Sequence, residues 1–176
     1  VKSRGLGDVY KRQTYDNSLD DSLVYTGSKK LTDKIEGYNH DIGKLVLSPT
    51  RTYAPVVKEI ISKVGVSNID GMIHCSGGAQ TKVLHFVENK HIIKDNLFNT
   101  PIIFDLIQDE SKTSWKEMYQ VFNMGHRLEI YTDKLSAQKI IDISASFNLE
   151  AKIIGRVEDS ISNKLSISGD KGNFEY

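Results

Sequence analysis

The run Gly71-Met72-Ile73-His74-Cys75, halted by Ser76-Gly77-Gly78, limits what this chain can fold into more than any other segment. Mostly apolar residues that stop at two adjacent glycines read as a buried strand entering a tight turn. Glycine reaches left-handed conformations without steric cost, and lacking a Cβ it lets another group come close to the main chain. Such a strand needs a partner and covering layers, which the rest of the chain must supply.

Those layers are legible on both sides. Pro55 stands in the first turn of a helix whose apolar stripe is Val56, Val57, Ile60, Ile61 and Val64, and Gly65 stops it. Residues 80–87 fit helix or strand, and His91-Ile92-Ile93-Lys94 reads as a strand. Pro101 opens a short helix through Phe104, Leu106 and Ile107. Ser114-Trp115-Lys116-Glu117 is a capping box, in which hydroxyl and carboxylate satisfy reciprocal orphan N–H groups, and its helix ends near Phe122. Residues 127–131 alternate as a strand does. A helix follows with Ala137, Ile140, Ile141, Ser144 and Phe147 on one face, then a strand over 151–157. Leu165-Ser166-Ile167 and Phe174 to Tyr176, around Gly169-Asp170-Lys171-Gly172, form a terminal hairpin. Helices interleaved with strands and hairpins give an α+β class, a mixed β-sheet with packed helices.

Residues 14–44 are polar and loop-rich, with no long period. Residues 1–13 carry Lys2, Arg4, Lys11 and Arg12 against one acid, Asp8. They are either a basic tail that touches an anion or a non-native or disordered end, and the second is expected. The domain proper is then 14–176. With 39% hydrophobic residues it suits one ordinary core, and one cysteine excludes an internal disulfide framework. Lys plus Arg and Asp plus Glu stand at 23 each, so charge offers no argument for nucleic acid or an anionic membrane. No apolar run is long enough to span a bilayer, and the cytoplasm is the expected compartment.

Three constellations carry the candidate chemistry. In His74-Cys75-Ser76-Gly77-Gly78, the glycine backbone can offer N–H groups to a phosphate or amide, or it is a plain strand-to-helix turn. Cys75 alternates away from His74, so a Cys–His nucleophilic pair is rejected and a buried, inert thiol is expected. In Ser48-Pro49-Thr50-Arg51-Thr52-Tyr53, Thr50 or Thr52 can cap the following helix. Arg51 either grips a phosphate or pairs with a neighbouring acid. In Phe122-Asn123-Met124-Gly125, Asn123 and Gly125 either take left-handed conformations that end a helix or present an amide to a substrate. The five histidines show no zinc spacing, and there is no Walker-type loop, so no metal ligand is assigned.

Taken in order, Pro49-Thr50-Arg51-x-Tyr53, a helix, His74-x-Ser76-Gly77-Gly78, then Met118-Tyr119-x-x-Phe122-Asn123-x-Gly125 resemble the C-terminal domain of aminoimidazole ribonucleotide synthetases, the phosphoribosylformylglycinamidine cyclo-ligase family. The resemblance covers about residues 20–176. It is strongest to the Bacteroidetes-type form, in which the commoner glycine triplet reads Gly-Gly-Ala, here with Ala79 third. His126-Arg127 departs from the small or apolar residues usual after Gly125. The resemblance implies an ATP- and Mg²⁺-dependent ring closure of formylglycinamidine ribonucleotide in purine biosynthesis. It also implies that the ATP-binding N-terminal domain lies outside this chain, which alone is expected to be inactive, and that the full-length enzyme is a homodimer. The site residues it implies are His74 as catalytic, and Thr50, Arg51, Ser76, Gly77, Gly78, Asn123 and Gly125 as substrate-binding. Competing readings are another member of the same superfamily, of the formylglycinamidine ribonucleotide synthetase, selenophosphate synthetase or thiamine-monophosphate kinase type, and a non-catalytic ligand-binding domain.

Overall fold

A computed structural model describes residues 27–48 and 51–176, so the expectations for residues 1–13 and for Thr50 fall outside the described residues. The elements are α1 (Ile42–Val46), α2 (Ala54–Val64), β1 (Ile69–His74), β2 (Lys90–Lys94), α3 (Ile102–Ser111), α4 (Trp115–Val121), β3 (Leu128–Thr132), α5 (Lys134–Ser146), β4 (Gly155–Asp159), β5 (Lys164–Gly169) and β6 (Gly172–Glu175). Short 3₁₀ turns span Val66–Asn68 and Ala79–His85.

The partner that β1 requires is β3. The two run antiparallel with His74 opposite Leu128, and the register shifts between Ile69 and Gly71. Alternation then sends successive side chains to opposite faces of this ribbon. Met72 and Ile130 pack against one core, made of Val56, Ile60 and Val64 of α2 with Ile140 and Ile143 of α5. Ile73 and Tyr131 pack against a second core containing Val83, Ile92, Met118, Tyr119, Leu165 and Ile167. The ribbon therefore separates two cores. Beyond the second core lies a four-stranded sheet in the order β4-β2-β5-β6, with β2–β5 parallel and both outer pairings antiparallel. The class is α+β with mixed pairing.

Several local expectations shift. The N-cap of α2 is Tyr53, with no side-chain cap, so Thr52 does not cap this helix. Residues 79–85 form neither α-helix nor strand but a 3₁₀ turn, opened by Gly78 at φ +80°. The strand expected over 151–157 begins only at Gly155. A Cβ there would lie 1.9 Å from the Ile93 carbonyl oxygen, so glycine marks where β4 comes down onto β2. The buried stripe of α5 is Ser136, Ile140, Ile143 and Ser144, and Phe147 is exposed. Its start is set by Asp133, whose carboxylate accepts from the N–H groups of Leu135 and Ser136. Of the two bonds expected from the capping box, Ser114 Oγ makes the one to Glu117 N, at 3.3 Å.

Candidate active site

A cleft of about 470 Å³ opens at the end of the β1–β3 ribbon. Its polar wall brings together His74 and Ser76 from the end of β1 and Asn123, Gly125 and Arg127 from the α4–β3 connection. Its apolar wall is the start of α3, with Ile102, Ile103 and Phe104. Two motifs more than forty residues apart in sequence thus share one surface. The first motif reaches it too: Ser48 lines the cleft, and the Tyr53 ring meets His74 edge-on at 6.3 Å between centroids. Arg51 is exposed and does not line the cleft, and neither do Gly77 and Gly78.

Each part of the polar wall has a local cause. Ser76 N donates to the His74 carbonyl at 2.8 Å and Ala79 N to the Ser76 carbonyl at 2.9 Å, which closes the turn. The Gly77 and Gly78 N–H groups stay outside those bonds. Gly78 at φ +80° and Ala79 at φ 41° are two consecutive left-handed residues. Lys82 locks the turn from behind, its Nζ donating to the His74 carbonyl at 2.9 Å and to Ser76 Oγ at 2.6 Å. In the second loop the left-handed residues are Met124 and Gly125, not Asn123. Asn123 instead caps the turn, its Oδ1 accepting from Gly125 N at 2.9 Å, which leaves its amide nitrogen available. Gly125 is required twice over: it has φ +94°, and a Cβ would sit 3.0 Å from Pro101 Cγ.

Sequence reasoning missed what holds the two loops together. Lys94, only 2% exposed, donates from Nζ to Glu129 Oε1 at 2.6 Å, to Gln80 Oε1 at 2.9 Å and to the Gln80 carbonyl at 3.0 Å. All three ammonium protons are thereby used. Gln80, fully buried, passes the chain on by donating from Nε2 to the Asn123 carbonyl at 2.7 Å. Tyr131 OH donates to Glu129 Oε2 at 2.7 Å. One charged network thus ties β2 and β3, in separate sheets, to both cleft loops. The available signal was a lysine ending an apolar strand and a glutamate inside an alternating one, a pattern that an ordinary half-solvated strand also shows.

The electrostatics exclude a thiolate nucleophile. Burial, and then the charge of Glu129, push the Cys75 thiol up to about 12, so it is protonated at neutral pH. The Tyr131 hydroxyl is raised for the same two reasons. Burial lowers His126, a neutral imidazole whose Nε2 accepts from Phe98 N at 3.1 Å. The cleft offers hydrogen-bond donors and an exposed imidazole. Among the described residues no three His, Cys, Asp or Glu side chains stand together as a metal site.

Curated proteins with related sequences point the same way. A protein of Methanococcus vannielii named phosphoribosylformylglycinamidine cyclo-ligase is 33% identical over 124 residues, which is 70% of this chain and 35% of that protein. Proteins of the same name from Methanocaldococcus jannaschii and Syntrophus aciditrophicus are 32% and 30% identical over 80% and 86% of this chain, and 39% and 44% of their own lengths. The chain is a homologue of the phosphoribosylformylglycinamidine cyclo-ligases. It spans well under half the length of these relatives, between 35% and 44%. No family model matches it. No helix among the described residues is long and apolar enough to cross a membrane.

Proposed function

We propose that this chain is the C-terminal part of an ATP-dependent cyclo-ligase that closes formylglycinamidine ribonucleotide to aminoimidazole ribonucleotide. The formamide oxygen takes the terminal phosphoryl group of ATP; the amidine nitrogen attacks the same carbon, and phosphate departs as the five-membered ring closes. ADP and phosphate are the other products. Activating the oxygen as phosphate supplies a leaving group, so the enzyme contributes mainly alignment and charge stabilisation.

In this reading the cleft is the substrate wall, with His74, Ser76 and Asn123 presenting polar groups to the ribonucleotide. Thr50, Arg51 and the backbone of Gly77 and Gly78 complete it where the rest of the enzyme closes over the chain. ATP and Mg²⁺ are held mainly by that other part, and the assembled enzyme works as a cytoplasmic homodimer. The observation that carries the reading is the meeting of the His74–Ser76 and Asn123–Gly125 motifs at one cleft in a chain homologous to cyclo-ligases.

The test is turnover. Residues 1–176 incubated with ATP, Mg²⁺ and formylglycinamidine ribonucleotide are expected to release no ADP above background. The protein extended by its upstream coding sequence is expected to turn over, and to lose at least about tenfold in kcat/KM on Asn123→Ala, roughly 1.4 kcal/mol. Turnover by 1–176 alone would refute the placement of the nucleotide site. An extended protein without cyclo-ligase activity would refute the function.

A further inference from the structure

We propose that Arg127 is the phosphate-gripping side chain of the cleft, taking the terminal phosphate of a bound ribonucleotide or of ATP. The assignment of that ligand rests on the cyclo-ligase reading; the choice of residue rests on the cleft itself.

Arg127 is the one Asp, Glu, Lys or Arg among the described residues that line the cleft. It is half-buried, and its carbonyl accepts from Cys75 N at 2.9 Å, which fixes its backbone where the β1–β3 ribbon meets the cleft. Among the described residues no carboxylate lies within ion-pair distance of its guanidinium. The other cations nearby are committed elsewhere: Lys82 to the glycine turn and Lys94 to its buried network. Arg51 is exposed and outside the lining.

A half-buried guanidinium without a carboxylate partner favours an anion, because low local dielectric strengthens its field. Its planar fork matches two oxygens of a phosphate at once. The surroundings agree. Among the described residues the amide nitrogen of Asn123 has no acceptor and is a second donor on the same wall, and no carboxylate lines the cleft to oppose an anion. The same lining includes Ile102, Ile103 and Phe104, which suit the less polar body of a nucleotide. One cation together with apolar lining describes a phosphorylated ligand better than a neutral sugar.

Titration calorimetry of the chain with ribose 5-phosphate, with ATP and with ribose tests this. The wild type is expected to bind at least one phosphate probe more tightly than ribose. Arg127→Gln is expected to weaken that probe at least tenfold, with Arg127→Lys between the two because it keeps the charge and loses the fork. Whichever probe responds identifies the source of the phosphate. No preference for either phosphate probe over ribose overturns the proposal, as does unchanged phosphate binding in a folded Arg127→Gln protein. If that variant fails to fold, Arg127→Lys decides: a folded Lys variant with wild-type affinity overturns the proposal, and a loss sustains it. The upstream-extended protein separates the two readings. Arg127-dependent phosphate binding without cyclo-ligase turnover removes the function and keeps the residue. Turnover with unchanged KM values for both phosphorylated substrates in Arg127→Gln removes the residue and keeps the function.

Discussion

Replacing Lys94 by Met cuts the buried network at its centre. The ammonium makes three bonds inside a space where it is 2% exposed, and its partner Glu129 is 6% exposed. Methionine fills a similar volume but donates nothing. Glu129 keeps only the Tyr131 hydroxyl bond, and two acceptors of Gln80 lose their donor. Removing one member of a buried ion pair typically costs about 3–5 kcal/mol, because the other charge is left uncompensated. A domain of this size holds about 5–15 kcal/mol in all, so the loss is a large fraction of its stability. At roughly 2–4 °C per kcal/mol, Tm should fall by about 10 °C.

Urea unfolding followed by circular dichroism measures the change directly. The control is Lys94→Met combined with Glu129→Leu, which removes both charges together. Because an apolar pair of similar volume is often no worse than a buried ion pair, the double variant should recover roughly half of the loss or more. Tyr131 and Gln80 still lack partners, which keeps recovery incomplete at about 1–3 kcal/mol per buried unpaired group. A single variant that loses less than about 1 kcal/mol would refute the claim that the network is desolvated. A double variant as unstable as the single one would show that packing, not an orphaned charge, sets the cost.

Four further outcomes follow from the loops around the cleft. Gly78→Ala should cost about 1–2 kcal/mol in urea unfolding, because φ is +80° while the space around a Cβ holds nothing closer than 3.5 Å. Gly77→Ala, with open space and no positive φ, should change stability by less than about 0.5 kcal/mol; equal costs at the two positions would contradict the assigned backbone. Gly125→Ala should be the most damaging of the three glycine changes, since it adds contact with Pro101 at 3.0 Å to a φ of +94°; a smaller loss than at Gly78 in the same assay would contradict that. Cys75 should resist a disulfide reagent at pH 8 until urea is added, and labelling of the native chain at the rate of a free thiol would show that it is neither buried nor raised.

The same thiol has a pH signature with a definite sign. Its folded-state value, about 12, lies above its ordinary value of 9.0. The unfolded chain therefore releases this proton first. Its contribution to stability is intact below about pH 9 and declines as pH rises toward 12. Cys75→Ala should flatten that alkaline decline, as measured by unfolding at pH 8 and pH 10; an unchanged slope would assign the loss to other groups.

Backbone signals were the legible part of this chain. Gly65, Pro101, Ser114 and the Gly169–Gly172 turn each force or forbid a local conformation, so elements begin or end at them whatever packs above. The pairing of β1 with β3 was not legible, because Gly71 and its partner Tyr131 lie sixty positions apart and no local rule links them. Residues 80–87 fit helix or strand equally in the sequence, and most of them take a third form, the 3₁₀ turn over 79–85, which two left-handed residues in succession impose. The α5 stripe was displaced toward Ser136 and Ile143 because tertiary contacts choose among apolar positions that periodicity alone treats as equivalent.

The candidate site divides along the same line. His74, Ser76, Asn123 and Gly125 reach the cleft because each sits where a strand or helix ends in a turn, and such ends are where a backbone signal exposes a side chain. Lys94, Gln80 and Glu129 carry no such mark, yet they connect the two turns through bonds of 2.6–3.0 Å. The spacing between the His74 and Asn123 loops is therefore set by a buried charge pair that bridges strands of the two sheets rather than by the loops themselves. A cleft built this way should tolerate change on its rim more readily than change at Gln80. Gln80→Leu removes the bond to the Asn123 carbonyl and strips Lys94 of a side-chain acceptor while leaving every lining residue in place. In the upstream-extended protein this variant should lower kcat/KM for the ribonucleotide at least about tenfold, roughly 1.4 kcal/mol, in molecules that remain folded. Gln80→Glu, which keeps an acceptor for Lys94 but cannot donate to the Asn123 carbonyl when ionised, separates the two bonds. If both variants fold and retain wild-type kcat/KM, the network holds the domain together without positioning the cleft.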